Sequence, residues 1–483
     1  MVRAFNLLHF LSFFSLGVSG CLAVSFIVAL FLGDEGVRPL ALATVIAATV
    51  GLVLRIRQRS GTELTHREGI LLVTVAWLVA TFFGALPFYF SRHFSSFTDA
   101  FFESISGLTT TGATVLTNVE ALPPSLLFWR CFTHWLGGMG IIVLGIAVLP
   151  LIGVGGMELY RAEFSGARSD KVRPRIAETA KALWKIYAVL TVTLYIALRL
   201  AGMGNLDAVC HSFSAMGTGG FSTRNASIEA FGSPVIELII AFFMLLAGIN
   251  FTLHYRLMVE RRPSRFFRDV ELRAYLFLIG GVTLIIAAEL ARWDLHSYPD
   301  ALRFAFFQTV SIMTTGGFSS TDFESWPALA QFLLFAAMFA GGCTGSTAGG
   351  LKIARIVLLT RVVGREFRRL ISPRAVFTVR LSADDRISER TVESLLNLVY
   401  LAFLVFFAAS GLLTAVGVDF LTAITATAAA MFNIGPGLGQ VGPTENFAHL
   451  PTFAKWVLCL CMLAGRLEFY TLLVLFVPAF WRK

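Results

Sequence analysis

Ser106-Gly107-Leu108-Thr109-Thr110-Thr111-Gly112-Ala113-Thr114 is the first of four related stretches in this chain. The second is Ala215-Met216-Gly217-Thr218-Gly219-Gly220-Phe221-Ser222-Thr223, and the third is Ile312-Met313-Thr314-Thr315-Gly316-Gly317-Phe318-Ser319-Ser320. The fourth, Met431-Phe432-Asn433-Ile434-Gly435-Pro436-Gly437, is the most divergent. Taking Gly112, Gly219, Gly316 and Gly435 as equivalent gives intervals of 107, 97 and 119 residues. Each stretch follows a short amphipathic run and lies between long apolar segments. Self-similarity on this scale marks a repeat architecture. Four copies of helix, short helix, Gly-rich loop and helix form the pattern of a four-fold ion pore folded from one chain.

Composition sets the environment. The chain is 56% apolar and 14% charged, with a mean hydropathy of +0.74. About twelve runs approach the ~20 residues needed to cross a hydrocarbon core of about 30 Å. The expected fold is an all-α polytopic membrane protein. It has four parallel helix–pore helix–loop–helix repeats around one pore, plus an N-terminal two-helix hairpin. The expected units are the hairpin at 1–66 and repeats at 67–165, 166–265, 266–385 and 386–483.

The net charge of +9 does not signal nucleic acid, because 30 of the 39 Lys and Arg residues fall at the two termini and in four loops, 55–68, 158–185, 256–273 and 352–390. The positive-inside rule puts these loops and both termini in the cytoplasm. The start Val18-Ser19-Gly20-Cys21 faintly resembles a lipoprotein cleavage site, but the apolar run continues to Leu32, too long for a signal segment. The six cysteines lack metal-site spacing and read as packing residues.

The spans expected are 5–33 and 38–57 for the hairpin. Repeat one has helices at 69–91, 98–107 and 125–155, and repeat two at 178–203, 207–216 and 234–258. Repeat three has 270–291, 300–313 and 327–363, and repeat four has 391–416, 420–431 and 452–480. An acid opens each short helix, namely Asp99, Asp207, Asp300 and Asp419. Each reads as an N-cap, with the helix's negative end aimed at the loop.

Removing water from a cation requires replacement oxygens at close range, and carbonyls of an extended loop supply them. Glycine permits the backbone angles this needs. Irregular backbone at membrane depth survives only where it is buried or lines water. The candidate filter residues are Thr110, Thr111, Gly112, Thr218, Gly219, Thr315, Gly316, Asn433, Ile434 and Gly435. The stripped cation is placed at Thr111, Thr218, Thr315 and Ile434.

These loops resemble the filter signatures of the Trk/Ktr/HKT potassium transporter superfamily. Size, hairpin and four repeats are similar to its bacterial TrkH-type membrane subunits. The resemblance spans essentially the whole chain. It implies potassium uptake across the bacterial inner membrane, with four filter glycines marking potassium preference and serine at the first favouring sodium. The fourth loop departs from the T-G pattern. The resemblance also implies a homodimer and a cytosolic nucleotide-binding (NAD or ATP) regulatory subunit. K+ is then cargo, and no organic cofactor, nucleic acid or catalytic role is expected in this chain.

Residues 340–350 place five glycines in an apolar helix, each costing up to ~1 kcal/mol relative to Ala. An unwound segment and close packing through small residues both fit. The resemblance implies the first, an intramembrane gate loop built on Gly341, Gly342, Gly345, Ser346, Thr347, Gly349 and Gly350. Arg466 lies in the last span, where a charge is costly and marks function. It either faces the pore as a barrier to cations or pairs with a buried acid such as Glu468. The resemblance implies the first. Glu103, His211, His134 and Asn250 read as braces for the loops, and Arg130 as a snorkelling residue.

Competing functions are a Na+ or unselective cation pathway, and a K+ symporter driven by H+ or Na+. The second calls for mid-membrane carboxylates, of which few are evident beyond Glu468 and Glu103. Gly437-Leu438-Gly439-Gln440-Val441-Gly442 matches a dinucleotide fingerprint, but no strand precedes it and Pro443 follows.

Overall fold

The computed structural model describes residues 4–56, 65–147, 172–261, 263–375, 377–380 and 387–482. The last turns expected for the helix ending at 155, and the first half of the basic 158–185 stretch, lie outside the described residues.

The hairpin is α1 (Ala4–Leu32) and α2 (Val37–Ile56). Much of its outer face is bare apolar side chain, with Phe31 and Ile56 more than four-fifths exposed. Such a surface suits lipid rather than water. The turn between the two helices is not idle. The Asp34 carboxylate accepts the Ser125 amide and hydroxyl, each at 2.7 Å, and so caps the start of the helix at Pro124–Ala147.

Repeat one contains α3 (His66–Phe90), α4 (Phe97–Leu108) and α5 (Pro124–Ala147). α3 opens on a capping box between Thr65 and Glu68. Repeat two contains α6 (Val172–Leu200), α7 (Asn205–Gly217), α8 (Pro234–Ala247) and α9 (Phe251–Met258), followed by a short α10 (Pro263–Phe267). Repeat three contains α11 (Val270–Arg292), α12 (Tyr298–Met313), α13 (Ala328–Met338) and α14 (Ile353–Ile371). Repeat four contains α15 (Glu389–Ala415), α16 (Phe420–Met431), α17 (Thr452–Arg466) and α18 (Tyr470–Leu473).

The expected dozen spans are therefore not all continuous. Among the described residues six helices are long and apolar enough to cross a membrane, and two bent pairs add two more. The single helices expected at 234–258 and 452–480 are each broken. α8 and α9 meet at 98°, and α17 turns by 116° into the segment that starts at Tyr470. Asn250 supplies the first break, because its side chain caps the Thr252 amide and starts α9 afresh. At the second, Glu468 and Phe469 take left-handed angles (φ 58° and 54°), which no helix continues. The third break, expected at 340–350, runs from the end of α13 at Met338 to Ile353.

The acids of the short helices also differ from expectation. Only Asp419 is an N-cap, accepting the Thr422 amide. Ser96 and Ser297 occupy the cap positions before Asp99 and Asp300, and each serine hydroxyl donates to the acid three residues on. Asp207 lies in the first turn of α7 behind an uncapped Gly204. Freed from capping, these three carboxylates take cations: Lys455 on Asp99 at 2.6 Å, Arg224 on Asp207 at 3.1 Å and Arg303 on Asp300 at 3.0 Å.

Candidate ion-conduction site

The four short helices α4, α7, α12 and α16 end at one place. Just beyond each end stands a non-glycine residue in the left-handed region: Thr110, Thr218, Thr315 and Asn433, with φ of 53° to 57°. Two residues on stands a glycine with positive φ: Gly112, Gly220, Gly317 and Gly435. This corrects the alignment of the loops. Gly220 and Gly317, not Gly219 and Gly316, are the counterparts of Gly112 and Gly435. The intervals become 108, 97 and 118 residues. The shared pattern is T-x-G or N-x-G, and the double glycines of loops two and three hide it.

These glycines close a ring. A Cβ on Gly112 would lie 2.0 Å from the Gly219 oxygen, and one on Gly220 would lie 2.7 Å from the Gly316 oxygen. A Cβ on Gly317 would lie 2.4 Å from the Ile434 oxygen, and one on Gly435 would lie 2.8 Å from the Thr111 oxygen. Each glycine thus abuts the carbonyl of the next repeat, and the fourth leans back on the first. The carbonyl set is Thr111, Gly219, Gly316 and Ile434. Thr218 and Thr315, expected to share a level with Thr111 and Ile434, sit one residue earlier. All four ring glycines also line one cavity, together with Ser222, Ser319 and Glu445.

Gly219 and Gly316 are glycines for another reason. A Cβ on Gly219 would meet the His134 ring at 2.3 Å, and one on Gly316 the Met244 sulfur at 2.3 Å. Their counterparts Thr111 and Ile434 carry side chains. Asn433 ties the ends of the ring together, its amide nitrogen donating to Thr111 Oγ1 at 2.9 Å and to the Met462 carbonyl at 3.0 Å.

A buried polar shell holds the loops, as expected for Glu103, His211 and His134, whereas Asn250, expected to join them, faces the 339–352 break instead. Glu103 accepts from the Thr114 hydroxyl, the Val115 amide and Arg130 Nε. Arg130 is not a snorkelling residue. Its side chain is 2% exposed, it donates to the Ser222 carbonyl at 2.9 Å, and its guanidinium lies 3.5 Å from the centre of the Phe221 ring. His134 stacks on Phe221 with centroids 4.1 Å apart. His211 bonds Ser222 Oγ through Nε2. Asn250 faces Gly345, whose carbonyl takes the Phe251 amide.

The 339–352 break lies directly beneath the ring. Gly341, Gly345 and Gly350 have positive φ, so the segment is unwound rather than a tightly packed helix. It touches the base of three loops. The Gly349 amide donates to Thr315 Oγ1 at 2.8 Å, the Gly350 amide to the Phe432 carbonyl at 3.2 Å, and Thr347 Oγ1 to the Met216 carbonyl at 3.1 Å. Ser346 turns inward to the Cys343 carbonyl, and Gly342 packs against Ala348.

Arg466 completes the attachment. It donates to the Thr347 carbonyl at 2.9 Å and the Gly137 carbonyl at 3.1 Å, joining the break to repeat one. Its side chain is buried and has no carboxylate partner among the described residues. Glu468 pairs instead with Arg355 at 2.7 Å. Arg466 closes α17 at a bend rather than sitting within a continuous span.

Glu271 was not legible as a site residue. It stands beside Asp269 among basic residues at the start of α11 and looks like an ordinary first-turn acid. It is 5% exposed and bonds the break. Among the described residues no His, Cys, Asp and Glu cluster suits a metal, and the cysteines are free.

Comparison with known proteins follows the same outline. The family model described as TrkH, a cation transport protein, matches residues 39–483. The Trk system potassium uptake protein TrkH of Salmonella typhimurium is 45% identical over 471 residues, 96% of each chain. The Trk system potassium uptake protein TrkG of Escherichia coli K12 is 36% identical over 430 residues, 88% of each. The crystal structure of the potassium transporter TrkH from Vibrio parahaemolyticus superposes with a TM-score of 0.92 at 40% identity, covering 99% of this chain and 100% of that one. A chain with these helices, this match across nearly its whole length and these relatives belongs to the TrkH family of membrane cation transport proteins.

Proposed function

We propose that this protein conducts K+ inward across the bacterial inner membrane. The observation that carries the reading is the closed ring of four glycines and four carbonyls contributed by four loops of one chain. An ion entering from the cavity lined by those glycines loses water to the carbonyls of Thr111, Gly219, Gly316 and Ile434. The threonines at 110, 218 and 315 and Asn433 stand one residue below. Carbonyl dipoles replace hydration oxygens at close range, so selectivity rests on the number and field of those oxygens. The relatives named above as potassium uptake proteins support K+ as the ion.

Below the ring the 339–352 segment and Arg466 obstruct the path and move when it opens. A buried positive charge under a cation filter raises a Coulomb barrier to the ion. The Trk system of the relatives implies other Trk components. A cytosolic nucleotide-binding subunit acting on the basic α14 region, in a homodimeric membrane subunit with both termini cytoplasmic, is part of this reading. Conduction, not catalysis, is the activity, and the repeat boundaries at 67–165, 166–265, 266–385 and 386–483 are its natural units.

The test is 86Rb+ uptake into proteoliposomes of the purified protein, competed with K+ or Na+. Block by K+ alone supports the reading. Equal block by both moves the pore to an unselective pathway. Dependence of uptake on an imposed H+ or Na+ gradient moves it to a coupled symporter.

A further inference from the structure

We propose that Glu271 is a positioning residue that ties the 339–352 break to the first turn of α14. This rests on the reading of that break as the moving obstruction. One carboxylate oxygen, Oε1, accepts three hydrogen bonds: from the Thr344 amide at 2.6 Å, the Thr344 hydroxyl at 3.0 Å and the Ala354 amide at 2.9 Å. Thr344 lies inside the break and Ala354 in the first turn of the helix that follows it.

The local sequence leaves this carboxylate a specific vacancy to fill. α14 begins at Ile353, and Lys352, in the N-cap position before it, has a positive φ of 76° and makes no side-chain cap. The first amides of a helix require acceptors, and an uncapped buried start is costly. Glu271 supplies one across a distance of 83 residues in sequence. It also sits in the first turn of its own helix, α11, whose N-cap is Asp269. Two positive helix ends and three donors therefore converge on this one carboxylate, which has no Lys or Arg within salt-bridge distance among the described residues.

The neighbours of Thr344 are held from the other side. The Cys343 amide donates to the Gly248 carbonyl at 2.8 Å, and the Gly345 carbonyl accepts the Phe251 amide at 3.1 Å. The break is thus suspended between the kink of repeat two and Glu271 of repeat three. Arg355, one residue after Ala354, binds Glu468 beside the kink of repeat four. Any displacement of the start of α14 pulls on the break through Glu271 and on the Arg466 bend through Arg355. Glu271 is the joint through which α14 moves the obstruction.

The experiment reads loop exposure and flux separately. Cys343, buried in the break, is kept as the sole cysteine, with Cys21, Cys131, Cys210, Cys459 and Cys461 replaced by Ala. Glu271→Ala and Glu271→Gln are made in this background and reconstituted. A membrane-impermeant maleimide is added on the face that carries α14. Loss of a charge-assisted hydrogen bond to a buried amide is expected to speed Cys343 labelling about tenfold. 86Rb+ flux rises in parallel while the K+ to Na+ ratio stays at its starting value. Labelling unchanged in both variants overturns the proposal. So does a changed ion ratio with unchanged labelling, which would put Glu271 in the ring's support instead. If Glu271→Ala does not assemble, Glu271→Gln decides alone, since it keeps the shape and removes only the charge. Faster labelling without a rise in flux upholds the tether and removes the gate reading, so the two failures are distinguishable.

Discussion

Arg130 and Glu103 meet at 2.6 Å with side chains 2% and 0% exposed, and through this pair the short helix of repeat one grips the loop of repeat two. Glu103 holds Thr114 and Val115 on its own loop while Arg130 reaches the Ser222 carbonyl. Removing one partner of a buried pair strands the other, at a cost of about 3–5 kcal/mol. Arg130→Ala is expected to lower the thermal midpoint of the detergent-purified protein and the K+ to Na+ permeability ratio together. A variant with wild-type values of both would show that the pair braces nothing.

Gly220 and Gly219 separate the two ways of aligning the loops. At Gly220 a side chain meets a φ of +84° and backbone atoms of Gly316 and Gly317 within 2.8 Å. The left-handed angle alone costs roughly 1–2 kcal/mol for an ordinary residue. At Gly219 the obstacle is the His134 ring, a side chain able to shift. Gly220→Ser and Gly112→Ser are therefore expected to reduce K+ over Na+ permeability further than Gly219→Ser does. The reverse order in reversal-potential measurements would restore Gly219 as the counterpart of Gly112.

Arg466 reaches two carbonyls, Thr347 below the ring and Gly137 on α5. Arg466→Ala frees both and removes the buried charge. Flux of 86Rb+ is expected to rise about tenfold or more, the worth of one or two charge-assisted bonds. Arg466→Lys retains charge without the fork and should fall between. Equal flux in all three at matched protein levels would deny it any part in obstruction.

Outside the spans, Glu324 carries a pH signature. Its carboxyl is pushed up to about 7 by burial, against the pull of the Gly439 amide and with the Glu445 carboxyl beside it. The folded state therefore holds a proton that the unfolded chain releases near its ordinary carboxylate value. Stability from this site is fullest at low pH, declines between about 4.5 and 7, and stays low above that. Glu324→Gln should raise the thermal midpoint at pH 8 relative to wild type and leave it nearly unchanged at pH 4.5. A variant equally stabilising at both values would trace the effect to packing.

Long apolar runs made the hairpin, the outer helices and the short helices readable to within a few residues. Five glycines made the break at 339–352 readable as well. The kinks after Ala247 and Arg466 were not, since each has a single glycine nearby, Gly248 or Gly465, and is made by ordinary residues: the Asn250 cap at the first, the left-handed Glu468 and Phe469 at the second. The glycine pairs in loops two and three offered two candidates for one role, and only the left-handed threonine before them discriminates. Arg130 and Glu271 looked like a snorkelling and a first-turn charge because their partners lie 27 and 73 residues away. Spacing in sequence carries no trace of such pairings.

The contact of Gly435 with the Thr111 carbonyl, and of Asn433 with the Thr111 hydroxyl, has a consequence in time. A chain emerging at about 5–20 residues per second needs on the order of tens of seconds to pass from residue 112 to residue 435. Through that interval the first loop is already made while the residues that close on it do not yet exist. The ring of loops closes only when the last quarter arrives, so an unfinished chain lacks the filter proposed above.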